Sequence, residues 1–258
     1  MKLTADFHTH TIFSHGKGTI LDNAISAKEK GLEQIAITDH GFSHPAFRIH
    51  KSKLPLMRKL CNEAESQTGV KVLLGIESNI LGISGKTDLK EKDYELFDVF
   101  LAGIHKFIFY DGLGEWFKLY GANLFARIGG DKPSKSLIER NTKIYINTIK
   151  NNPIDVLAHP NYCFFADAVE VAKCCRDYGT YFEIDARKTH LSDEEWDKVA
   201  KTGVKFLLNS DAHRPQNIGV IDNAIKMIER VNIPKEQIVN IDGKLPNYYR
   251  FNEYKKKM

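Results

Sequence analysis

Short aliphatic and β-branched runs alternate with stretches of helical periodicity along the chain, the pattern of parallel strands joined by crossover helices. Seven runs predict strands at Leu3–Phe7, Gln34–Thr38, Lys71–Ile76, Asp98–Ile104, Asp155–Ala158, Thr180–Ile184 and Val204–Asn209. Their near-continuous hydrophobicity, as in Val204-Lys205-Phe206-Leu207-Leu208, suits strands covered on both faces. The connecting segments carry helix signals. Thr19 with Asp22, and Ser192 with Glu195, have capping-box spacing, in which a hydroxyl and a carboxylate satisfy orphan N–H groups at a helix start. Gly31, Gly179 and Gly203 stand where a left-handed helix end is wanted. Leu54, Met57, Cys61 and Ala64, and Ile221, Ala224, Ile225 and Ile228, keep helical spacing and are expected to pack on the sheet.

Most strand-to-strand units take 24 to 37 residues, but the fourth takes 57. The surplus lies at about residues 107–133. It holds Phe107, Phe109, Tyr110, Trp116, Phe117, Tyr120 and Phe125 among Gly112, Gly114, Gly121, Gly129 and Gly130. A long aromatic, glycine-rich loop at a strand end reads as a lid over a site, with a barrel plug or an oligomer contact as the alternative. No linker, internal repeat or low-complexity tract is visible, so residues 1–258 are read as one domain.

Composition changes this picture little: 42% hydrophobic and 27% charged residues are ordinary for a globular chain of 258 residues, a length that α/β barrels commonly reach. A formal charge of +4, with no basic strip interleaved with aromatics, argues against a nucleic-acid partner. No apolar run reaches the roughly 18 residues of a membrane span, and Met1–His10 lacks a secretory core, so the first residue is expected to be retained. Cys61, Cys163, Cys174 and Cys175 show no paired spacing and are read as free thiols in a reducing cytoplasm.

Histidine is the informative residue. The first strand runs into His8-Thr9-His10 and then His15. The second ends in Asp39-His40, the third in Glu77, the fourth in His105, the fifth in His159 and the seventh in Asp211-Ala212-His213. In an α/β barrel the carboxyl ends of the strands converge on one face, so these residues are expected to form one cluster. Neutral imidazole and carboxylate are ligands for zinc, manganese and iron, and the absence of cysteine suggests an open, catalytic site. One H-x-H alone says little; agreement across six strand ends says much, because each such group buried without a partner costs several kcal/mol.

His8-Thr9-His10, His15, Ile37-Thr38-Asp39-His40-Gly41, Gly75-Ile76-Glu77, Gly103-Ile104-His105, Ala158-His159-Pro160 and Ser210-Asp211-Ala212-His213 together resemble the PHP (polymerase and histidinol phosphatase) family, from His8 to about Val239. The resemblance implies an α/β fold, a distorted seven-stranded (βα)7 TIM-like barrel with the aromatic insertion after strand four, and a centre of three divalent ions. It implies that His8, His10, Glu77 and Asp211 hold one ion and His15, His40 and His213 a second. Glu77 as a bridge, His105 and His159 hold the third. Glu77, Asp211 and His213 thereby also stand as catalytic residues. Asp39 is expected to orient a ligand imidazole, or less simply to ligate directly.

Such a centre suits phosphate esters. The expectation is hydrolysis of a small phosphomonoester by a metal-bound hydroxide, with histidinol phosphate as a family substrate. Arg187, after strand six, and Arg214, after His213, are the expected phosphate clamp, with Lys106 a further cation. His44 and His50, in the loop after strand two, stand to touch substrate or protonate the leaving group. His190, ahead of a helix cap, is read as outside the site. The alternatives are a phosphodiesterase or nuclease of the same family, an amidohydrolase, which would want an eighth strand, and a non-catalytic metal-binding protein. No G-x-S-x-G elbow, phosphate loop or dinucleotide loop is present in the sequence.

Overall fold

A computed structural model describes residues 1–128, 133–247 and 249–258. Seven strands run parallel in sequence order: β1 (Ala5–Thr9), β2 (Gln34–Ile37), β3 (Lys71–Asn79), β4 (Val99–Gly103), β5 (Val156–Leu157), β6 (Tyr181–Asp185) and β7 (Phe206–Asn209). The sheet curls into a barrel whose seam is only partly closed. At the top, Thr9 bridges Ala212, and the His10 N–H donates to the Ala212 carbonyl at 2.8 Å. Lower down, Asn240 fills the gap, its side-chain amide donating to the Ala5 and Leu208 carbonyls while its Oδ1 accepts from the Leu208 N–H. A side chain stands in for the missing strand pair, which is the distortion of this barrel.

The expected strands are all present, with shifted limits. β1 begins two residues later than predicted, because Leu3 pairs antiparallel with Ile241 instead of with β2. β3 extends to Asn79, so Glu77 lies inside a strand, held there by continued pairing of Gly75–Asn79 with Val99–Gly103. Both predicted capping boxes form, at α1 (Ile20–Glu29) and α7 (Asp193–Ala200), and Gly31, Gly179 and Gly203 all take positive φ. With α2 (Leu54–Thr68), α3 (Leu113–Trp116), α4 (Ala122–Ile128), α5 (Lys135–Asn151), α6 (Ala168–Tyr178), α8 (Asp222–Val231) and α9 (Arg250–Lys255), the helices surround the barrel. Among the described residues no helix is long and apolar enough to cross a membrane.

The insertion after β4 is more regular than the loop expected from its glycines. Among its described residues, α3, a π-helical turn at Phe117–Gly121 and α4 follow one another; Gly129 and Gly130 lie outside the described residues. Long-range bonds fix it to the barrel: Tyr110 Oη donates to the His105 carbonyl, Glu115 Oε2 accepts from the Ile83 N–H, and Asn123 Oδ1 accepts from Asn141 Nδ2. Phe109, Phe117 and Phe125 are exposed.

Two apolar layers result. One lies between the strands and the helices; the other fills the barrel and includes Ala5, Phe7, Ala36, Val99, Leu101, Val156, Tyr181 and Leu207. Continuing each inward row by steps of two predicts what the barrel presents at its top, since successive residues of a strand face opposite sides. From Ala36 the row reaches His40, from Leu101 it reaches His105, from Tyr181 it reaches Glu183 and Asp185, and from Leu207 it reaches Asp211. From Leu73 of β3 it reaches Glu77, and the remaining two rows, of β1 and β5, are re-aimed. β1 carries one extra residue between Asp6 and Thr9, a bulge that brings His8 and His10 inward after the odd-numbered Phe7. After β5, His159 has φ +28°, a left-handed conformation that turns its ring into the barrel.

Candidate metal centre

Glu77 is the hub. Buried at the barrel axis, its Oε1 lies 2.6 Å from His159 Nε2, 3.1 Å from His105 Nε2 and 3.4 Å from His8 Nε2. Its Oε2 lies 2.7 Å from His40 Nδ1 and 3.7 Å from His10 Nε2. Asp211 caps the other side, with Oδ1 at 3.2 Å from His10 Nε2, 3.4 Å from His213 Nδ1 and 3.6 Å from His8 Nε2. The His15 ring packs at centroid distances of 4.2 Å from His213 and 4.8 Å from His40. All nine residues expected as ligands therefore converge.

Donor atoms within 4.8 Å of one another form four groups: His10, His40 and His213; His8, His10 and Asp211; His8, Glu77 and His159; and His40, Glu77 and His105. This grouping differs from the expected partition, since His40 also joins Glu77, and His159 also joins His8. His15 belongs to none of these groups and borders them through its ring.

The backbone makes room for this crowding. A Cβ on Gly103 would stand 2.7 Å from His159 Cε1 and 3.3 Å from Glu77 Oε1, so only glycine allows both side chains to cross above β4.

Protonation fits metal binding. Burial pushes His40 down to about 4, and burial with the neighbouring His40 and His213 pushes His15 down to about 3. Burial also opposes the charge of Glu77, yet His105, His8 and His40 hold its carboxyl well below the usual range. Neutral rings and ionised carboxylates are the ligand forms. His8 and His159 are the exceptions: burial opposes the charge of both, but Glu183, Glu77 and Asp211 hold His8 well above its ordinary value, and Glu77 raises His159 to about 9.

Although close to one another, several of these buried atoms are not aligned for a hydrogen bond, among them His8 Nε2, both ring nitrogens of His10 and His105, His40 Nδ1 and Glu77 Oε2. A native core does not normally leave such atoms unmatched. Divalent ions bound by this donor set would satisfy them.

A model of the PHP domain matches residues 6–187. The chain belongs to the PHP domain family. A protein named "Probable phosphatase" from Thermoanaerobacter sp. (strain X514) is 34% identical over 263 residues, covering 97% of this chain and 96% of that one. Another of that description, from Caldanaerobacter subterraneus subsp. tengcongensis, is 32% identical, covering 93% and 88%. Among solved structures, the PHP chain resembles histidinol phosphate phosphatase from Lactococcus lactis, complexed with zinc, L-histidinol and phosphate. The TM-score is 0.62 at 17% identity, over 90% of this chain and 95% of that one, a likeness of fold.

The PHP centre opens into a cavity of about 540 Å3. Of the expected substrate residues, Arg187 and His44 line it. Arg187 Nη1 donates to Asp211 Oδ2 at 2.9 Å and lies 3.2 Å from His213 Nδ1. His44 Nδ1 accepts from the Ala46 and Phe47 N–H groups, which places the proton of the neutral ring on Nε2. Arg214 does not line this cavity. It borders a separate surface depression with Lys17 and Gln216, because it is one residue beyond His213 and faces the other way. Exposed His50 is likewise outside, whereas His190 lines the cavity with Nε2 4.0 Å from Asp185 Oδ2.

Asp39 orients no imidazole. Its carboxylate accepts from the Thr11 N–H, Thr11 Oγ1 and Ser14 Oγ, and so anchors the turn that carries His15. The imidazole-orienting carboxylate is Glu183, which sequence reasoning missed: Oε1 lies 2.8 Å from His8 Nδ1 and accepts from Asn209 Nδ2, while Oε2 accepts from the His159 N–H at 2.6 Å. Its signal was an acidic residue at an inward position of an apolar strand. Ser14, Ser43 and Ser210 are all bonded to carboxylates, of Asp39, Asp88 and Asp6.

Proposed function

We propose that the protein is a metal-dependent phosphatase that hydrolyses a small phosphomonoester. The supporting observation is the set of buried, unmatched donor atoms around Glu77 and Asp211 at the base of a cation-lined cavity. In this reading His8, His10, His15, His40, Glu77, His105, His159, Asp211 and His213 hold three divalent ions, of zinc, manganese or iron. Ions held there would lower the pKa of water towards about 7 and neutralise charge on phosphoryl oxygens.

The chain's own groups complete the site. Arg187, already directed at Asp211 and His213, offers paired N–H donors to the phosphoryl group. His44 offers Nε2–H to the ester oxygen. Glu183 fixes the ring of His8 and the backbone of His159, so both are aimed before any ligand arrives. The insertion contributes Phe107 and Arg127 to the cavity mouth, where it acts as a lid against bulk water.

The test is phosphate release from a panel of phosphorylated metabolites, histidinol phosphate included, with the protein's metals quantified beside turnover. Release that disappears on chelation and returns with one of the three metals supports the reading. Hydrolysis of amides or carboxylic esters in preference to every phosphate ester would overturn it.

A further inference from the structure

The cavity is far more cationic at its mouth than one phosphoryl group requires. Arg187 is exposed on the cavity wall and is paired with Asp211. Lys106, Arg127 and Lys188 line the same cavity, and among the described residues none has a carboxylate within ion-pair distance. They come from three separate segments: the turn after β4, the helix α4 and the loop after β6.

Two of them, Lys106 and Arg127, rest on uncharged neighbours. Lys106 Nζ lies 5.3 Å from the centroid of the Tyr162 ring. The Arg127 guanidinium lies 5.5 Å from the Phe165 ring, and its Nη1 donates to Cys163 Sγ at 3.5 Å. The nearby acid cannot neutralise all three. Asp185 is buried, and its Oδ1 accepts from the Arg187 and Lys188 backbone N–H groups. The Tyr162 ring beneath Lys106 packs on His190 at a centroid distance of 5.0 Å, and both rings line the cavity with Arg127 and Lys188.

We infer that the substrate carries a second anionic group, a carboxylate or a phosphate, on its leaving-group side, bound by Lys106, Arg127 and Lys188. This rests on the phosphatase reading and narrows it to doubly anionic monoesters. Three converging cations attract a second anion and repel an ammonium. An amino alcohol phosphate such as histidinol phosphate is thereby disfavoured.

The experiment compares esters matched in shape. Glycerol 3-phosphate and 3-phosphoglycerate differ by a hydroxymethyl against a carboxylate; fructose 6-phosphate and fructose 1,6-bisphosphate differ by a second phosphate; O-phosphoethanolamine carries a cation. Wild-type kcat/KM should be at least tenfold higher for the doubly anionic member of one of the two pairs, which identifies the group, and lowest for O-phosphoethanolamine. Arg127→Gln and Lys188→Gln should each cut that ratio about tenfold through KM, with metal content intact.

Calorimetry of the chelated protein gives a readout free of turnover: 3-phosphoglycerate or the bisphosphate should bind tighter than its partner, and Arg127→Gln should remove the difference. Equal kcat/KM within both pairs, or an equal loss on all five esters in the variants, overturns the inference while leaving the phosphatase reading standing. No release from any ester, with the binding difference present, overturns the phosphatase reading and keeps the anion site. Neither release nor a binding difference overturns both.

Discussion

Replacing Glu183 by Gln tests whether the metal centre is held in shape from beneath. Glu183 is fully buried and receives three donors: His8 Nδ1–H and Asn209 Nδ2–H on Oε1, and the His159 N–H on Oε2. A glutamine of the same shape has one acceptor oxygen. If that oxygen faces His8 and Asn209, the amide nitrogen confronts the His159 N–H; if it is flipped, the nitrogen confronts two donors. Either way a buried donor loses its partner, which costs about 1–3 kcal/mol. The bond to His159 also steadies a non-glycine residue at φ +28°, so its loss relaxes the ring that meets Glu77. At about 2–4 °C per kcal/mol for a chain of this size, the melting temperature should fall by about 2–12 °C. Folding survives, because total stability is about 5–15 kcal/mol. Removing a carboxylate that orients a ligand imidazole should weaken metal affinity about 10–100-fold, read by competition with a chelator of known affinity. A variant that melts within 1 °C of the wild type and binds metal within twofold refutes the reasoning.

Glu77→Gln should abolish metal content and phosphate release together, since its oxygens lie within 3.7 Å of His8, His10, His40, His105 and His159; elemental analysis beside a phosphate assay checks this, and full activity would sink the proposed centre. Arg187→Ala should raise KM for phosphate esters by at least tenfold, whereas Arg214→Ala should leave kinetics within twofold, because only the first side chain lines the cavity. Asp155, buried below the barrel and accepting from the Phe100 and Phe251 N–H groups, is pushed up by burial to about 7 from its ordinary 3.8. The folded state therefore holds the proton more tightly, so this residue makes stability fall as pH rises from about 4 to about 7, by at most about 4 kcal/mol. Asp155→Asn should flatten that slope in urea titrations across the window; an unchanged slope would count against a buried, protonated Asp155.

What the sequence disclosed and what it hid follow from one geometric rule. The nine clustering residues were legible because strand ends converge whatever the register, and because charged types are conspicuous after apolar runs. Asp39 and Arg214 were misplaced for a common reason: each is adjacent in sequence to a clustering histidine, and neighbours on an extended strand face opposite sides. Asp39 consequently turns to Thr11 and Ser14, and Arg214 to the outer surface. Glu183 was missed by the same neglect in reverse. Stepping by two from Tyr181, an inward apolar residue, reaches Glu183, Asp185 and Arg187, all three of which touch or line the site. The period-two rule would nonetheless have failed at His8, His10 and His159, where a bulge and a left-handed residue change the face. Nothing in their composition marks those two irregularities, since neither uses glycine. Both serve the cluster, whose donors converge on Glu77 because two strands depart from regular pleating, and a backbone held in a costly conformation by those clustering side chains should relax when they are removed.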